Sequence, residues 1–222
     1  MAKEQNNQTN ETRTRGASEL VNRVRYNNVR LVTIGIMSAL AVALVYMVHM
    51  PIIPSLPFLE YDPADIPIFI ITILFGWPWG LAMTVIVSVL QGITVSASSG
   101  WIGIIMHIFA TGSFVLASGL TDKIFGRLRN TKRADGGVGL DQNMASVAVS
   151  FIDGLICMLT AMLLWNYIFT PIFMGMPREA VVELLPLIML FNFIKGGANA
   201  LVAYAVFASG KLARFIKVKR GK

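Results

Sequence analysis

Lys195 stands in "FNFIKGGANA" with Asn192 three residues before it and Asn199 four after it, inside an otherwise apolar run. On a helix these spacings bring the three side chains to one face. A cation at the centre of a bilayer costs roughly 2.5–3.5 kcal/mol on insertion scales, so such a residue is kept where protein or water receives it. Two readings follow. Asp153 lies at a similar depth in the preceding apolar segment, and a structural Asp153/Lys195 ion pair would neutralise the charge. Alternatively, the polar face of Asn192, Lys195 and Asn199 lines a cavity. Asn166 is the third amide of interest: "LLWNYIFTPIFMGMP" sets it among Trp165, Tyr167 and Phe169. Aromatic faces beside an amide suit a flat heterocycle.

The remaining polar residues say less. His107 has no second histidine in its segment, which leaves a hydrogen-bonded core residue rather than a metal ligand or a histidine relay. Gln91, Thr94, Ser96, Ser98 and Ser99 cluster at one end of an apolar segment, where they reach a ligand or satisfy a turn. Cys157 is the single cysteine, so no intrachain disulfide or thiolate metal cluster forms. No GxSxG, HExxH or P-loop pattern occurs. The sequence therefore predicts neither an enzyme nor a bound metal or cofactor.

The elements that position these residues are membrane helices. Of 222 residues, 55% are hydrophobic and 14% charged, with a mean hydropathy of +0.64; soluble domains carry about 25% charge. The expected fold is an all-α integral membrane protein with six transmembrane helices, near 31–50, 64–77, 79–96, 101–120, 145–168 and 184–209. Residues 1–30 then form a polar, irregular cytosolic tail, 31–210 the membrane domain and 211–222 a basic cytosolic tail. The polar start offers no apolar core with a cleavage site, so the first span is expected to act as its own signal.

Lys and Arg cluster as six in residues 1–30, five in 121–144 and six in 210–222, leaving only Arg178 and Lys195 elsewhere. Six spans put those three basic stretches on one side, which the positive-inside rule makes the cytoplasm. Topology thus absorbs the net charge of +7 without nucleic acid. On the opposite side lie Glu60, Asp62, Asp65, Glu179 and Glu183, and the four Trp residues fall near segment boundaries.

The first external connection, "MPIIPSLPFLEYDPADIP", holds Pro51, Pro54, Pro57, Pro63 and Pro67, which forbid regular helix through most of it. An apolar stretch of this kind outside the membrane folds back over something. It reads as a lid over a cavity; the plainer alternative is a stiff connector with Asp65 capping the second span. In the first span, Gly35, Ala39 and Ala43 recur every four residues, a narrow stripe for close helix approach within the chain or from another subunit.

These features together resemble the substrate-binding S components of energy-coupling factor (ECF) vitamin transporters, above all the riboflavin-specific one. The likeness is carried by "SALAVAL", "FLEYDPADIPI", "QGITVSASSGWIGIIMHIFATGSF", "NYIFTPIFMG" and "FNFIKG", across about residues 31–210. The resemblance implies a six-helix bundle in a bacterial plasma membrane, with a vitamin pocket near the external face capped by the loop after helix 1. It implies that Ala39 and Ala43 contact the membrane-embedded T component, which couples to two cytosolic ATPases. It maps flavin-binding positions onto Asn166, Asn192 and Lys195, with Tyr61 as a cover; Asp153, Gln91 and His107 receive no role. Close alternatives are the same fold binding another vitamin, a stand-alone secondary transporter using an Asp153/Lys195 pair, and a membrane protein in which the lysine is only structural.

Overall fold

The structure is a computed structural model that describes residues 2–48, 50–51, 59–95, 100–128 and 144–209. The chain forms α1 (Ala2–Met47), α2 (Asp65–Phe75), α3 (Trp77–Ile93), α4 (Gly100–Leu128), α5 (Met144–Met174) and α6 (Arg178–Ala208). Two short strands, β1 (Met50–Pro51) and β2 (Glu60–Tyr61), pair antiparallel between α1 and α2, with Met50 opposite Tyr61. The fold is all-α, as expected, with six helices among the described residues.

Among the described residues, four helical segments are long and apolar enough to cross a bilayer: Gly16–Met47, Gly100–Phe125, Met144–Met174 and Arg178–Ala208. α2, with 11 residues, is about 17 Å long, and α3, with 17, about 25 Å. Both fall short of the roughly 30 Å hydrocarbon core. α1 also differs from expectation: the helix runs unbroken through the polar residues read as an irregular tail. That segment lacks Pro and has a single Gly, so nothing in it interrupts the helix of the first span.

α2 is apolar almost all round, the pattern of a fully buried helix. It packs against α1, α3, α4 and α6, and Pro67 through Thr72 are all buried. Its Phe69 stacks on Phe114 of α4 at 3.8 Å and meets Phe151 of α5 edge-on at 5.9 Å. The other helices turn apolar side chains outward, among them Ile36, Leu40, Ile152, Ile156, Phe193 and Leu201. Such a surface suits lipid rather than water.

Gly76 joins α2 to α3 with φ +92°, a conformation that L side chains rarely adopt. The turn folds α3 back so closely that a Cβ on Gly80 would sit 2.1 Å from Thr72 Oγ1 and 2.8 Å from Val115 Cγ1. Gly80→Ala is therefore expected to destabilise the bundle by about 1–3 kcal/mol, the usual cost of overpacking. The check is thermal unfolding of the purified variant beside wild type; an unchanged midpoint would show that the α2/α3 contact is looser than described.

Candidate ligand site

At the end of the bundle that carries the β1–β2 connection, α3 through α6 enclose a cavity of about 180 Å³. Its wall takes Asp62 from the loop before α2, Asp65 from α2, Ser88 and Gln91 from α3, and His107 and Thr111 from α4. α5 adds Asn166 and Thr170, and α6 adds Asn192 and Lys195. Methionines, isoleucines and Phe191 fill the space between these polar groups. A mostly apolar concavity with a few convergent polar groups is the usual form of a small-molecule site.

The sequence-derived candidates Asn166, Asn192 and Lys195 thus line one cavity. Asn166 is fully buried; its amide donates to the Met162 carbonyl at 2.8 Å, and its oxygen accepts from Thr170 at 2.8 Å. Asn192 donates to the Ile188 carbonyl at 2.8 Å. Each of these bonds lies within one helix, so they orient the amides without tying helices together. Tyr61 does not line the cavity. Its hydroxyl donates to Asn199 Oδ1 at 3.0 Å, and burial, with the negative charge of Asp62 next in weight, pushes the phenol up, which keeps the donor protonated.

The partner of Lys195 is Asp62, not Asp153. Lys195 Nζ lies 2.7 Å from Asp62 Oδ2, while Asp153 accepts from Thr121 of α4 at 2.5 Å. Similar depth did not imply a shared face: Leu155 and Met158 of α5 are what meet α6 at Gly196, whereas Asp153 turns toward α4. The Asp153/Lys195 pair, and the stand-alone transporter reading built on it, are therefore set aside.

Asp62 and Asp65, counted from sequence among external charges, are in fact 2% and 1% exposed. Buried charges need partners, and both have them. Burial alone would raise the Asp62 carboxyl, but the Lys195 ammonium outweighs it and holds the group below the usual carboxylate range. Asp65 accepts from Thr111 at 2.7 Å and from Asn199 at 3.2 Å, with His107 Nε2 at 3.3 Å. Asn199 also donates to the Asp62 carbonyl at 3.0 Å, and His107 Nδ1 lies 2.6 Å from Ser88 Oγ. One polar network therefore joins the loop after α1 to α2, α3, α4 and α6.

His107 is hydrogen-bonded, as expected of a core histidine, but it also faces the cavity. The signal for the two aspartates was present in "YDPADIP", two carboxylates three apart at the head of the most uniformly apolar helix. Thr94, of the group at the end of α3, bonds the Leu90 carbonyl at 2.6 Å and so satisfies its turn. Ser96, Ser98 and Ser99, and the centre of the expected lid at 52–58, lie outside the described residues.

Bundle and cavity together define a helical protein of membrane type built around a cavity with convergent polar groups. The family model for the substrate-specific component of ECF transporters matches residues 29–207, and the chain belongs to that family. A solved structure described as the S component of a bacterial ECF transporter is similar, with a TM-score of 0.64 and 26% identity over 86% of this chain and 99% of that one. No curated protein matches the sequence significantly. Membership makes the protein a transport component rather than an enzyme, and implies a T component and ATPases as partners within a lipid bilayer.

Proposed function

We propose that the protein binds riboflavin at the external face of a bacterial plasma membrane and delivers it inward together with a T component and two cytosolic ATPases. The observation that carries this reading is that Asn166, Asn192 and Lys195, the positions the resemblance assigns to a flavin, line one cavity. Flavin is neutral and rich in carbonyl and ring nitrogen acceptors. Asp62 accepts a hydrogen bond from the Lys195 ammonium and balances its charge, and among the described residues the other two N–H groups are left for an uncharged ligand.

The same reading keeps six spans with both termini in the cytoplasm. The basic clusters support that orientation, and α2 need not match the bilayer thickness because its backbone is enclosed by other helices. Ala39 and Ala43 are exposed, while Ile34, Ser38, Ala41 and Val45 turn inward. The small-residue stripe therefore stays open to the T component. β1 and β2 pair at the base of the connection that this reading takes as the lid, and Tyr61 ties that base to α6 through Asn199.

The test is titration of the purified protein with riboflavin, read by quenching of flavin fluorescence, with thiamine and pantothenate as competitors. Saturable riboflavin binding that neither competitor displaces is expected. Displacement by thiamine or pantothenate would move the specificity to another vitamin.

A further inference from the structure

We infer that Gln91 is a ligand-contacting residue that determines specificity: its carbonyl oxygen accepts a hydrogen bond from an N–H or O–H donor of the bound molecule, and Asp62 fixes the amide in that orientation. The inference deepens the flavin reading and rests on it.

Gln91 sits in the last turn of α3, in the cavity wall, and is only 7% exposed. Its Nε2 lies 3.2 Å from Asp62 Oδ2, the oxygen that also receives Lys195. A carboxylate oxygen held by an ammonium only accepts hydrogen bonds, so the amide must turn its NH2 toward Asp62. The network thereby decides which end of the amide is nitrogen. The carbonyl is left on the other side. Gln91 Oε1 is buried and has no hydrogen-bond partner among the described residues.

A buried acceptor without a partner is costly, and native proteins rarely leave one so. Asn166 offers the contrast. Both ends of its amide are engaged within α5, whereas Gln91 has one end held and, among the described residues, no partner for the other. Lys195 supplies donors to this cavity and Gln91 supplies an acceptor of fixed direction. A ligand that satisfies both carries an acceptor and an N–H or O–H donor. On a flavin the donors are the single ring imide N–H and the ribityl hydroxyls.

The experiment compares the affinities of wild type, Gln91→Met and Gln91→Ala for riboflavin, 3-methylriboflavin, which lacks the ring N–H, and lumiflavin, which lacks the ribityl hydroxyls. Methionine keeps the length of the side chain; alanine carries the same comparison where methionine does not fold. Riboflavin is expected to bind the variants about 10–100-fold more weakly, the loss that follows from one unmade bond to a buried group. That loss should shrink toward unity with 3-methylriboflavin if the ring N–H is the donor, or with lumiflavin if a hydroxyl is. Wild type must itself discriminate against one of the two analogues. Equal affinity of wild type for all three, unchanged affinity in the variants, or the same loss with every ligand overturns the inference and leaves the flavin reading intact. A wild type that binds no flavin overturns both.

Discussion

Lys195→Met will destabilise the protein by about 3–5 kcal/mol at neutral pH, because it strands the Asp62 carboxylate without its counter-charge. Asp62 is 2% exposed, and its closest cation is the lysine at 2.7 Å. The double variant Asp62→Asn/Lys195→Met should recover most of that loss, since it removes both charges and keeps a polar partner for Gln91. The loss in the single variant should also depend on pH with a definite sign. In wild type the Asp62 carboxyl is held low, so the stability it contributes is present above the unfolded value near pH 4 and lost only below it. Without Lys195, burial dominates and the folded-state pKa rises. The folded form then binds the extra proton, and stability falls as pH rises through the neutral range. Thermal unfolding at pH 5 and pH 8 measures this directly. A single variant as stable as the double at both pH values would mean that the ion pair is exposed to water.

The second large effect is at Asp65. Asp65→Ala removes an acceptor shared by Thr111 and Asn199 and takes the negative charge away from His107, 3.3 Å distant. Stranded buried donors cost about 1–3 kcal/mol each, so the total should reach about 3–5 kcal/mol. That corresponds to a fall of about 10 °C or more in unfolding midpoint for a chain of this size. Asp65→Asn retains one acceptor and should lose less. The asparagine variant separates the network from simple volume: it is nearly isosteric, so packing alone would leave it as stable as wild type, whereas the network account predicts a loss of about 1–3 kcal/mol from its unmatched N–H.

Much of this architecture was legible because a bilayer imposes simple demands. α4, α5 and α6 follow from apolar runs of about 20 residues bounded by charge or turn residues. Lys195 announced itself by its cost. Its partner did not, because depth along a helix can be read from residue counts while azimuth depends on how α5 is rotated against α4 and α6. Asp153 and Lys195 matched in the first and differed in the second.

The aspartates were misjudged for a different reason. Beside five prolines and at the edge of a span, Asp62 and Asp65 carry the composition of an external loop. Only the three-dimensional return of that loop over the bundle makes them interior groups. Gln91 and His107 were unassignable from sequence for the same cause: each gains its meaning from a partner on another element, Asp62 for one and Ser88 and Asp65 for the other. The amides were easier. Asn166 and Asn192 are oriented by carbonyls four residues back on their own helices, so their local sequence already contained their geometry.

The central claim is that this cavity holds a flavin, and the visible absorption spectrum of the protein purified from cells supplied with riboflavin tests it most directly. Wild type should be yellow, with blue absorption that persists through purification, while folded Asp62→Asn/Lys195→Met should be pale. A colourless wild type that stays colourless after riboflavin is added would contradict the account.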